Sequence, residues 1–128
     1  MPLLLVVEDN MLMRKTLVNI FNANIPGVRV HEAVNGKEAL AALEDTRPFI
    51  VLMDIELPDS SGLDLTRRIK TRAPEVKVLV FSLYDTLEYR EAAARNGADG
   101  FFSKRTDSFD ELVEVIREMT EIRSGGRL

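Results

Sequence analysis

Five polar side chains stand directly after short apolar runs of the sequence, and their types suit phosphoryl-group chemistry. They are two adjacent acids, Glu8 and Asp9, a third acid, Asp54, a hydroxyl, Ser82, and a lysine, Lys104. Carboxylates that lie close together repel, and burial adds to the cost unless a cation compensates. Mg²⁺ prefers one or two carboxylates together with waters and phosphate oxygens. A lysine and a hydroxyl would stabilise the phosphoryl oxygens, so these residue types predict a site for Mg²⁺ and a phosphoryl group.

The apolar runs that precede these residues predict the strands of a parallel sheet. The runs at 3–7, 49–53 and 76–81 consist almost entirely of apolar residues, which is typical of strands buried on both faces. The run at 28–33 is less apolar and suits an edge strand. A fifth run, at 100–103, leads directly into Lys104.

Helical periodicity fills the intervals between these runs, and the alternation predicts a doubly wound α/β domain. In such a domain the carboxyl ends of the strands share one edge of the sheet, where ligands bind. The segment 85–96 has a weak apolar face, so we expect a loosely anchored helix there. Thr106 or Ser108 is expected to cap the last helix, with Glu111 three residues beyond Ser108. The clearest apolar stripe belongs to that helix and comprises Phe109, Leu112, Val113, Ile116 and Met119.

The composition indicates one soluble domain. The chain has 128 residues, of which 45% are hydrophobic and 30% charged, as in an ordinary globular domain. We expect residues 1–123 to form the domain and residues 124–128 to be a flexible tail or the start of a linker. The net charge of −4 disfavours direct contact with nucleic acid. The chain lacks cysteine, a signal peptide and a membrane span, so we predict a cytoplasmic protein.

Several short motifs, taken in order, resemble the response-regulator receiver domain of bacterial two-component signalling. The resemblance covers about residues 3–122, and the motifs are VEDN at 7–10, LMDIELP at 52–58, SSG at 60–62, FS at 81–82, NGADGF at 96–101 and SK at 103–104. It implies a flavodoxin-like fold, with a five-stranded parallel sheet in the order 2-1-3-4-5 and helices on both faces. Arg105 follows the lysine where many receivers have proline, so we expect a trans peptide there. The chain is most similar to receivers that precede a helix-turn-helix DNA-binding output domain.

The resemblance also implies roles for the polar residues. Asp54 is expected to be the phosphoacceptor, which takes a phosphoryl group from a histidine kinase, with Lys104 and Ser82 on the phosphoryl oxygens. The ligands expected for Mg²⁺ are Asp9 directly, Glu8 through water, Asp54, and the backbone carbonyl of Glu56. Catalysis would then consist of positioning and charge neutralisation, and the protein would catalyse only its own phosphorylation and dephosphorylation.

Two further pairs of residues match positions of the family that govern the response. Ser82 and Phe101 correspond to the switch, in which the hydroxyl moves towards the phosphoryl group and the aromatic ring turns inward. Glu56 and Tyr84 correspond to positions that tune hydrolysis, and the bulk of Tyr84 predicts slow hydrolysis. The partners implied are a histidine kinase, a second copy of the chain after phosphorylation and a C-terminal DNA-binding domain. The sequence leaves open whether dimerisation uses the region 85–103 or the first and last helices.

Two other functions are compatible with the same residues. A Mg²⁺-dependent phosphatase or phosphotransferase with an aspartate nucleophile is one, since Glu56 follows Asp54 by two residues, although such enzymes usually need a longer chain. Turnover of an external phosphate ester would distinguish it. A binding module that works without phosphorylation is the other, and the intact set of acids, Ser82 and Lys104 argues against it.

Overall fold

The computed structural model describes residues 2–123, in which five strands and five helices alternate along the chain. In order they are β1 (Leu3–Val7), α1 (Met11–Asn24), β2 (Arg29–Ala33), α2 (Gly36–Thr46), β3 (Ile50–Met53), α3 (Gly62–Arg72), β4 (Lys77–Ser82), α4 (Leu87–Arg95), β5 (Gly100–Ser103) and α5 (Phe109–Arg123). The tail or linker predicted for residues 124–128 lies outside the described residues.

The five strands form one parallel sheet in the order β2-β1-β3-β4-β5, which confirms the predicted topology. Strand β1 is central, and its last residue, Val7, pairs with Ala33 of β2 on one side and Met53 of β3 on the other. The strand order reverses at β1, so the crevice beyond the carboxyl ends of β1 and β3 is the topological switch point of the sheet. Glu8 and Asp54 follow these two strands and therefore lie at that crevice.

Two apolar cores, one on each face of the sheet, hold β1 in place. Side chains alternate along a strand, so Leu4 and Val6 pack with residues of α1 and α5, whereas Leu5 and Val7 pack with residues of α2 and α3. All four are buried. Each buried leucine or valine stabilises the fold by about 1.5–3 kcal/mol relative to an exposed one. The acids that follow β1 are therefore attached to one of the most firmly held segments of the protein.

Helix α4 differs from its prediction at the amino end and agrees with it in its packing. It begins at Leu87 rather than at residue 85, because the Thr86 hydroxyl caps it by accepting a hydrogen bond from the Tyr89 N–H. The Asp85 side chain is consequently outside the helix and accepts a hydrogen bond from Ser103, the last residue of β5. Ala93 is the helix residue that is fully enclosed, so the expected weak apolar face is confirmed.

The turn from β5 into α5 follows the sequence prediction. The Ser108 hydroxyl accepts a hydrogen bond from the Glu111 N–H, and the Glu111 carboxylate accepts one from the Ser108 N–H. Ser108, not Thr106, is thus the cap, and the pair forms a capping box. Among the residues that the structure describes there is no cis peptide bond, so the bond between Lys104 and Arg105 is trans, as expected.

Candidate functional site

The turn between β1 and α1 presents two acids at the edge of the sheet. Glu8 and Asp9 occupy this turn, and Asn10 ends it by accepting a hydrogen bond from the Met13 N–H at 2.8 Å, as a helix cap does. The Glu8 carboxylate also accepts from the Asn10 N–H at 3.2 Å. Glu8 is buried whereas Asp9 is exposed, so the two neighbours face different surroundings.

Lys104 joins Glu8 and Asp54 in one buried ion-pair cluster. The Lys104 ammonium lies 2.7 Å from Glu8 Oε1 and 3.0 Å from Asp54 Oδ2. The other Asp54 oxygen accepts a hydrogen bond from the Ile55 N–H at 2.8 Å. Side chains with this little exposure, between 3% and 10%, form charge-assisted bonds that water screens poorly. Three of the predicted site residues are therefore in direct contact.

The charges of this cluster alter the proton affinity of its members. Burial raises the pKa of Glu8 above its usual range, against the lowering effect of the Lys104 hydrogen bond, and the charge of Asp54 raises it further. Burial alone would lower the pKa of Lys104, but its bonds to Glu8 and the charge of Asp54 outweigh burial and raise that pKa. Lys104 is therefore a fixed cation at neutral pH.

The three acids fit the ligand preferences of a hard divalent cation. One carboxylate oxygen from each of Glu8, Asp9 and Asp54 lies within 4.8 Å of the others. Lys104 is the one cation in contact with Glu8 and Asp54 in the described part of the chain, so it cannot neutralise three carboxylates. An excess of negative charge on oxygen donors is what Mg²⁺ requires.

Ser82 is the last residue of β4, and Phe101 is the second residue of the neighbouring strand β5. Ser82 is fully buried, and its hydroxyl accepts a hydrogen bond from the Tyr84 N–H at 3.0 Å. Phe101 pairs with Val80 of β4 and is half-buried, with the Arg90 guanidinium 4.7 Å from its ring centre. This distance places a cation over the ring face, so Phe101 is held by a residue of the loosely packed helix α4.

Glu56 and Tyr84 are hydrogen-bonded to each other. The Tyr84 hydroxyl donates to Glu56 Oε1 at 2.6 Å, and this bond is the main cause of the raised pKa of Tyr84. Tyr84 is 38% exposed, and its ring packs at a tilt against that of Tyr89, 5.2 Å away between ring centres. Glu56 and Tyr84, the two residues expected to tune hydrolysis, therefore connect the loops after β3 and β4.

A buried arginine that was not predicted from the sequence stabilises the turn that contains Glu8 and Asp9. Arg14 of α1 donates to the backbone carbonyl of Glu8 at 3.0 Å and to the Glu32 carboxylate of β2 at 2.9 Å. Its side chain is only 10% exposed. A charged residue among the apolar positions of α1 was the one available signal, but a solvated helix face would give the same sequence.

Asp59 fixes the loop after β3 to the start of α2. Its carboxylate accepts hydrogen bonds from the Gly36 N–H at 2.8 Å and the Lys37 N–H at 3.1 Å. These are free donors of the first turn of a helix, where negative charge is favoured. The Gly36 bond is the main reason why the pKa of Asp59 is below its usual range.

We expect Asp59→Asn to destabilise the protein in a pH-dependent way. A carboxyl with a lower pKa in the folded state stabilises that state above its unfolded pKa, about 4, and the stabilisation is lost as pH falls through the folded pKa. The variant should therefore have a lower free energy of unfolding at pH 7, and the difference from wild type should shrink below about pH 4. Urea unfolding of both proteins at pH 7 and at acidic pH measures this, and a difference independent of pH would contradict it.

A small void adjoins the acid cluster, and a larger cavity lies at the opposite edge of the sheet. The void that adjoins Asp54 and Glu8 is too small for a water molecule. A cavity of about 750 Å³, bordered by Leu43, Phe49 and Val76 among others, opens instead at the amino ends of β3 and β4, the opposite edge of the sheet. Across residues 2–123, no helix has the length and apolar character needed to cross a bilayer.

A parallel sheet with this strand order and an acid cluster at its switch point is the architecture of a receiver. The family model described as "Response regulator receiver domain" matches residues 4–117. The chain therefore belongs to the response regulator receiver domain family of two-component signalling.

Relatives and solved structures agree with this assignment. The transcriptional activator protein ExaE of Pseudomonas putida is 39% identical over 101 residues, which are 79% of this chain and 47% of that protein. The transcriptional regulatory protein DegU of Brevibacillus brevis is 30% identical over 118 residues, 92% of this chain and 50% of that protein. A LuxR-family DNA-binding response regulator from Staphylococcus aureus superposes with a TM-score of 0.84 at 27% identity, covering 93% of this chain and 98% of that one. The chain spans about half the length of the two curated relatives.

Proposed function

We propose that this domain accepts a phosphoryl group on Asp54 and changes its surface in response. The observation that carries the proposal is the contact of Lys104 with both Asp54 and Glu8, beside Asp9, at the switch point of the sheet. A buried lysine between carboxylates provides a cation at the position where phosphoryl oxygens would arrive. This arrangement suits phosphoryl transfer, which is catalysed by positioning and charge neutralisation.

In the transfer step a carboxylate oxygen of Asp54 attacks the phosphorus atom of a phosphohistidine. The new P–O bond forms as the P–N bond breaks, and the imidazole nitrogen leaves with the electron pair. Lys104 and the Ser82 hydroxyl donate hydrogen bonds to the phosphoryl oxygens. Mg²⁺, held by Glu8, Asp9, Asp54 and the carbonyl of Glu56, would supply the remaining positive charge.

The experiment that tests this function is intact mass measurement after incubation with a small acyl-phosphate donor. One sample contains Mg²⁺, and its control contains excess chelator. We expect a single phosphoryl adduct with Mg²⁺ and a large loss of adduct with the chelator, because the acid cluster then retains its uncompensated charge. No adduct in either sample, together with no change on Mg²⁺ titration, would reject the phosphoacceptor function in favour of a binding module.

An enzyme with an external substrate is the less favoured candidate. Such an enzyme would need room for an external substrate beside Asp54, and the cavity of about 750 Å³ lies at the opposite edge of the sheet. The domain would thus catalyse only its own phosphorylation and dephosphorylation, and steady turnover of a phosphate ester would contradict this.

We propose that Ser82 and Phe101 transmit the phosphorylation. Ser82 would exchange its hydrogen bond with the Tyr84 N–H for one to the phosphoryl group, and Phe101 would turn towards the space released. Arg90 of α4 lies over the Phe101 ring. A change in the orientation of this ring would therefore displace α4, whose packing is weak. A phosphoryl group that leaves the NMR chemical shifts of α4 unchanged would contradict this route.

Tyr84 is proposed to protect the phosphoryl group from water. We expect Tyr84→Ala to speed loss of the phosphoryl group roughly five- to tenfold. This is the factor by which one net hydrogen bond, here from the Tyr84 hydroxyl to Glu56, would stabilise the ring in its shielding position. The measurement is first-order decay of the adduct after the donor has been removed. Tyr84→Phe retains the ring without its bond to Glu56 and should give an intermediate rate. A rate that is unchanged or slower in Tyr84→Ala would refute the assignment.

The exposed apolar residues around the acid edge are proposed as the contact surface for the histidine kinase. Large hydrophobic side chains at this edge have 58–79% of their surface exposed; they are Met11, Leu12, Leu83 and Leu87. They lie at the starts of α1 and α4 and after β4. Exposed apolar side chains beside a polar centre are typical of a protein contact site.

We expect Leu12→Ala to slow phosphoryl transfer from a kinase but not from a small donor. Loss of a central apolar contact costs more than about 1 kcal/mol, so transfer should slow roughly tenfold at limiting protein concentration. Uptake from an acyl-phosphate donor is the matched control, since a small donor does not need the exposed apolar side chains for binding. Equal slowing with both donors would contradict the proposed contact surface.

We propose that this receiver is part of a longer protein in which a DNA-binding domain follows it. Its relatives include transcriptional regulators, which supports a C-terminal DNA-binding domain as the output and a regulatory role in transcription. We also propose a homodimer on phosphorylation and a cytoplasmic location. Sedimentation of the phosphorylated and unphosphorylated protein tests the dimer, and substitutions in the region 85–103 or in α1 and α5 would locate its interface.

A further inference from the structure

The loop after β4, the last residue of β5 and the turn that follows β5 are joined by a hydrogen-bond cluster that the proposed transfer does not use; the Arg105 side chain in it is 61% exposed. Asp85 Oδ2 accepts from the Ser103 hydroxyl at 2.6 Å, and the Arg105 guanidinium donates to Asp85 Oδ1 at 3.0 Å. The Ser103 oxygen accepts in turn from the N–H groups of Arg105 and Thr106, at 3.1 and 3.3 Å. Ser103 is fully buried and the Asp85 side chain is 10% exposed, so this cluster is a fixed joint between the two segments.

The cluster fixes the residue next to Tyr84. On one side of Tyr84, its N–H is bonded to the Ser82 hydroxyl at 3.0 Å. On the other side, Asp85 is bonded to Ser103. Tyr84 is 38% exposed, and its hydroxyl is bonded to Glu56. The position of its ring therefore depends on how firmly its backbone is held.

We propose that Asp85 is a positioning residue that, through Ser103, keeps Tyr84 seated over the acid cluster and prolongs the lifetime of the phosphorylated protein. The inference rests on the proposed function, since it concerns loss of the phosphoryl group from Asp54. In that reaction a water oxygen bonds to phosphorus, the P–O bond to Asp54 breaks, and the carboxylate leaves with the electron pair as phosphate and a proton are released. Asp85 contacts none of these atoms and acts through the backbone of Tyr84.

The need for Asp85 increases when the protein is phosphorylated. In the proposed switch, the Ser82 hydroxyl turns to the phosphoryl group and gives up its bond to the Tyr84 N–H. The side-chain bond of Asp85 to Ser103 then remains as a tether beside Tyr84, together with the hydrogen bond from the Arg90 guanidinium to the Asp85 carbonyl at 3.0 Å. The Ser103 hydrogen bond and the Arg105 charge hold the pKa of Asp85 below its usual range, which keeps the tether ionised at neutral pH.

The test is a double-mutant cycle on decay of the phosphoryl adduct. The proteins compared are wild type, Asp85→Ala, Tyr84→Ala and the double variant, each loaded with a small acyl-phosphate donor and followed by intact mass in Mg²⁺. We expect Asp85→Ala to decay about fivefold faster than wild type, as one net hydrogen bond is lost. The double variant should decay no faster than Tyr84→Ala, because Asp85 has nothing left to position. A merely structural role of Asp85 would not show this dependence on Tyr84.

Three comparisons complete the test. Asp85→Asn keeps an acceptor for the Ser103 hydroxyl and should decay more slowly than Asp85→Ala; it also serves if the alanine variant does not fold. Glu91→Ala makes the same charge change at an exposed position of α4 and should decay like wild type. An unchanged decay rate in Asp85→Ala, or additive effects in the double variant, would overturn the inference. Absence of an adduct on wild type would instead overturn the proposed function.

Discussion

Asp54→Asn should take up no phosphoryl group from any donor. The amide oxygen retains the shape of the carboxylate and can still accept the hydrogen bond from the Ile55 N–H, so the loop after β3 should stay in place. It lacks the negative charge that makes the carboxylate a nucleophile. Intact mass after incubation with an acyl-phosphate donor and Mg²⁺ measures the result, and unfolding in urea shows whether the variant remains folded.

Glu8 and Asp9 are the other carboxylates of the cluster that could accept a phosphoryl group, and their contacts differ from those of Asp54. Glu8 has one oxygen on Lys104 and the other on the Asn10 N–H, and Asp9 is exposed without contact to the lysine. Asp9→Asn is therefore the matched control: it removes one carboxylate of the cluster but leaves the acceptor, so an adduct should still form, more slowly. An adduct on Asp54→Asn at the wild-type level, mapped to Asp9 or Glu8, would contradict the assignment.

The acid edge could be predicted from the sequence because strands buried on both faces leave a continuous apolar signal. The runs that end before Glu8 and Asp54 coincide with β1 and β3 to within one residue. Parallel strands then place their carboxyl ends together, which brings the two acids to the same edge without any further information. The resemblance to receivers supplied the strand order and the functional roles.

The pairing within the site could not be predicted in the same way. Glu8 and Lys104 are 96 residues apart, and β5 is three places from β1 in the sheet. Whether a lysine after an edge strand reaches the central acid depends on sheet twist and side-chain direction, which leave no pattern in the sequence. The contacts of Asp85 with Ser103 and of Tyr84 with Glu56 could not be predicted for the same reason, since the first joins a loop to the end of β5 and the second joins two loops.

The same limit explains the error at α4. A polar residue before a weakly apolar helix can belong to its first turn or to the preceding loop, and local propensity does not separate the two. The buried hydroxyl of Ser103 bonds to Asp85 and keeps it in the loop, while Thr86 caps the helix. A tertiary contact thus sets where this helix begins.

Gly62→Ala should be the most destabilising of the substitutions considered. A β-carbon on Gly62 would lie 1.9 Å from the backbone oxygen of Asp54 and 2.8 Å from its carbonyl carbon. The close approach exists because the loop after β3 turns back and the Gly62 N–H donates to the Ile55 carbonyl at 2.7 Å. Backbone atoms cannot rotate away, so the loop must shift, and we expect a loss of roughly 3 kcal/mol in the free energy of unfolding.

The same substitution should also impair phosphorylation in the molecules that remain folded. A shift of the Asp54 backbone by about 1 Å moves the nucleophile relative to Lys104 and the other acids, and misplacement of this size slows a positioned reaction about a hundredfold. Gly27→Ala is the matched control, because nothing lies within 4 Å of its β-carbon and its cost comes only from a positive φ of 80°. We expect it to lose about 1 kcal/mol and to accept the phosphoryl group at the wild-type rate. Equal stability of Gly62→Ala and wild type would show that the loop after β3 is not packed as closely against Asp54 as this fold requires.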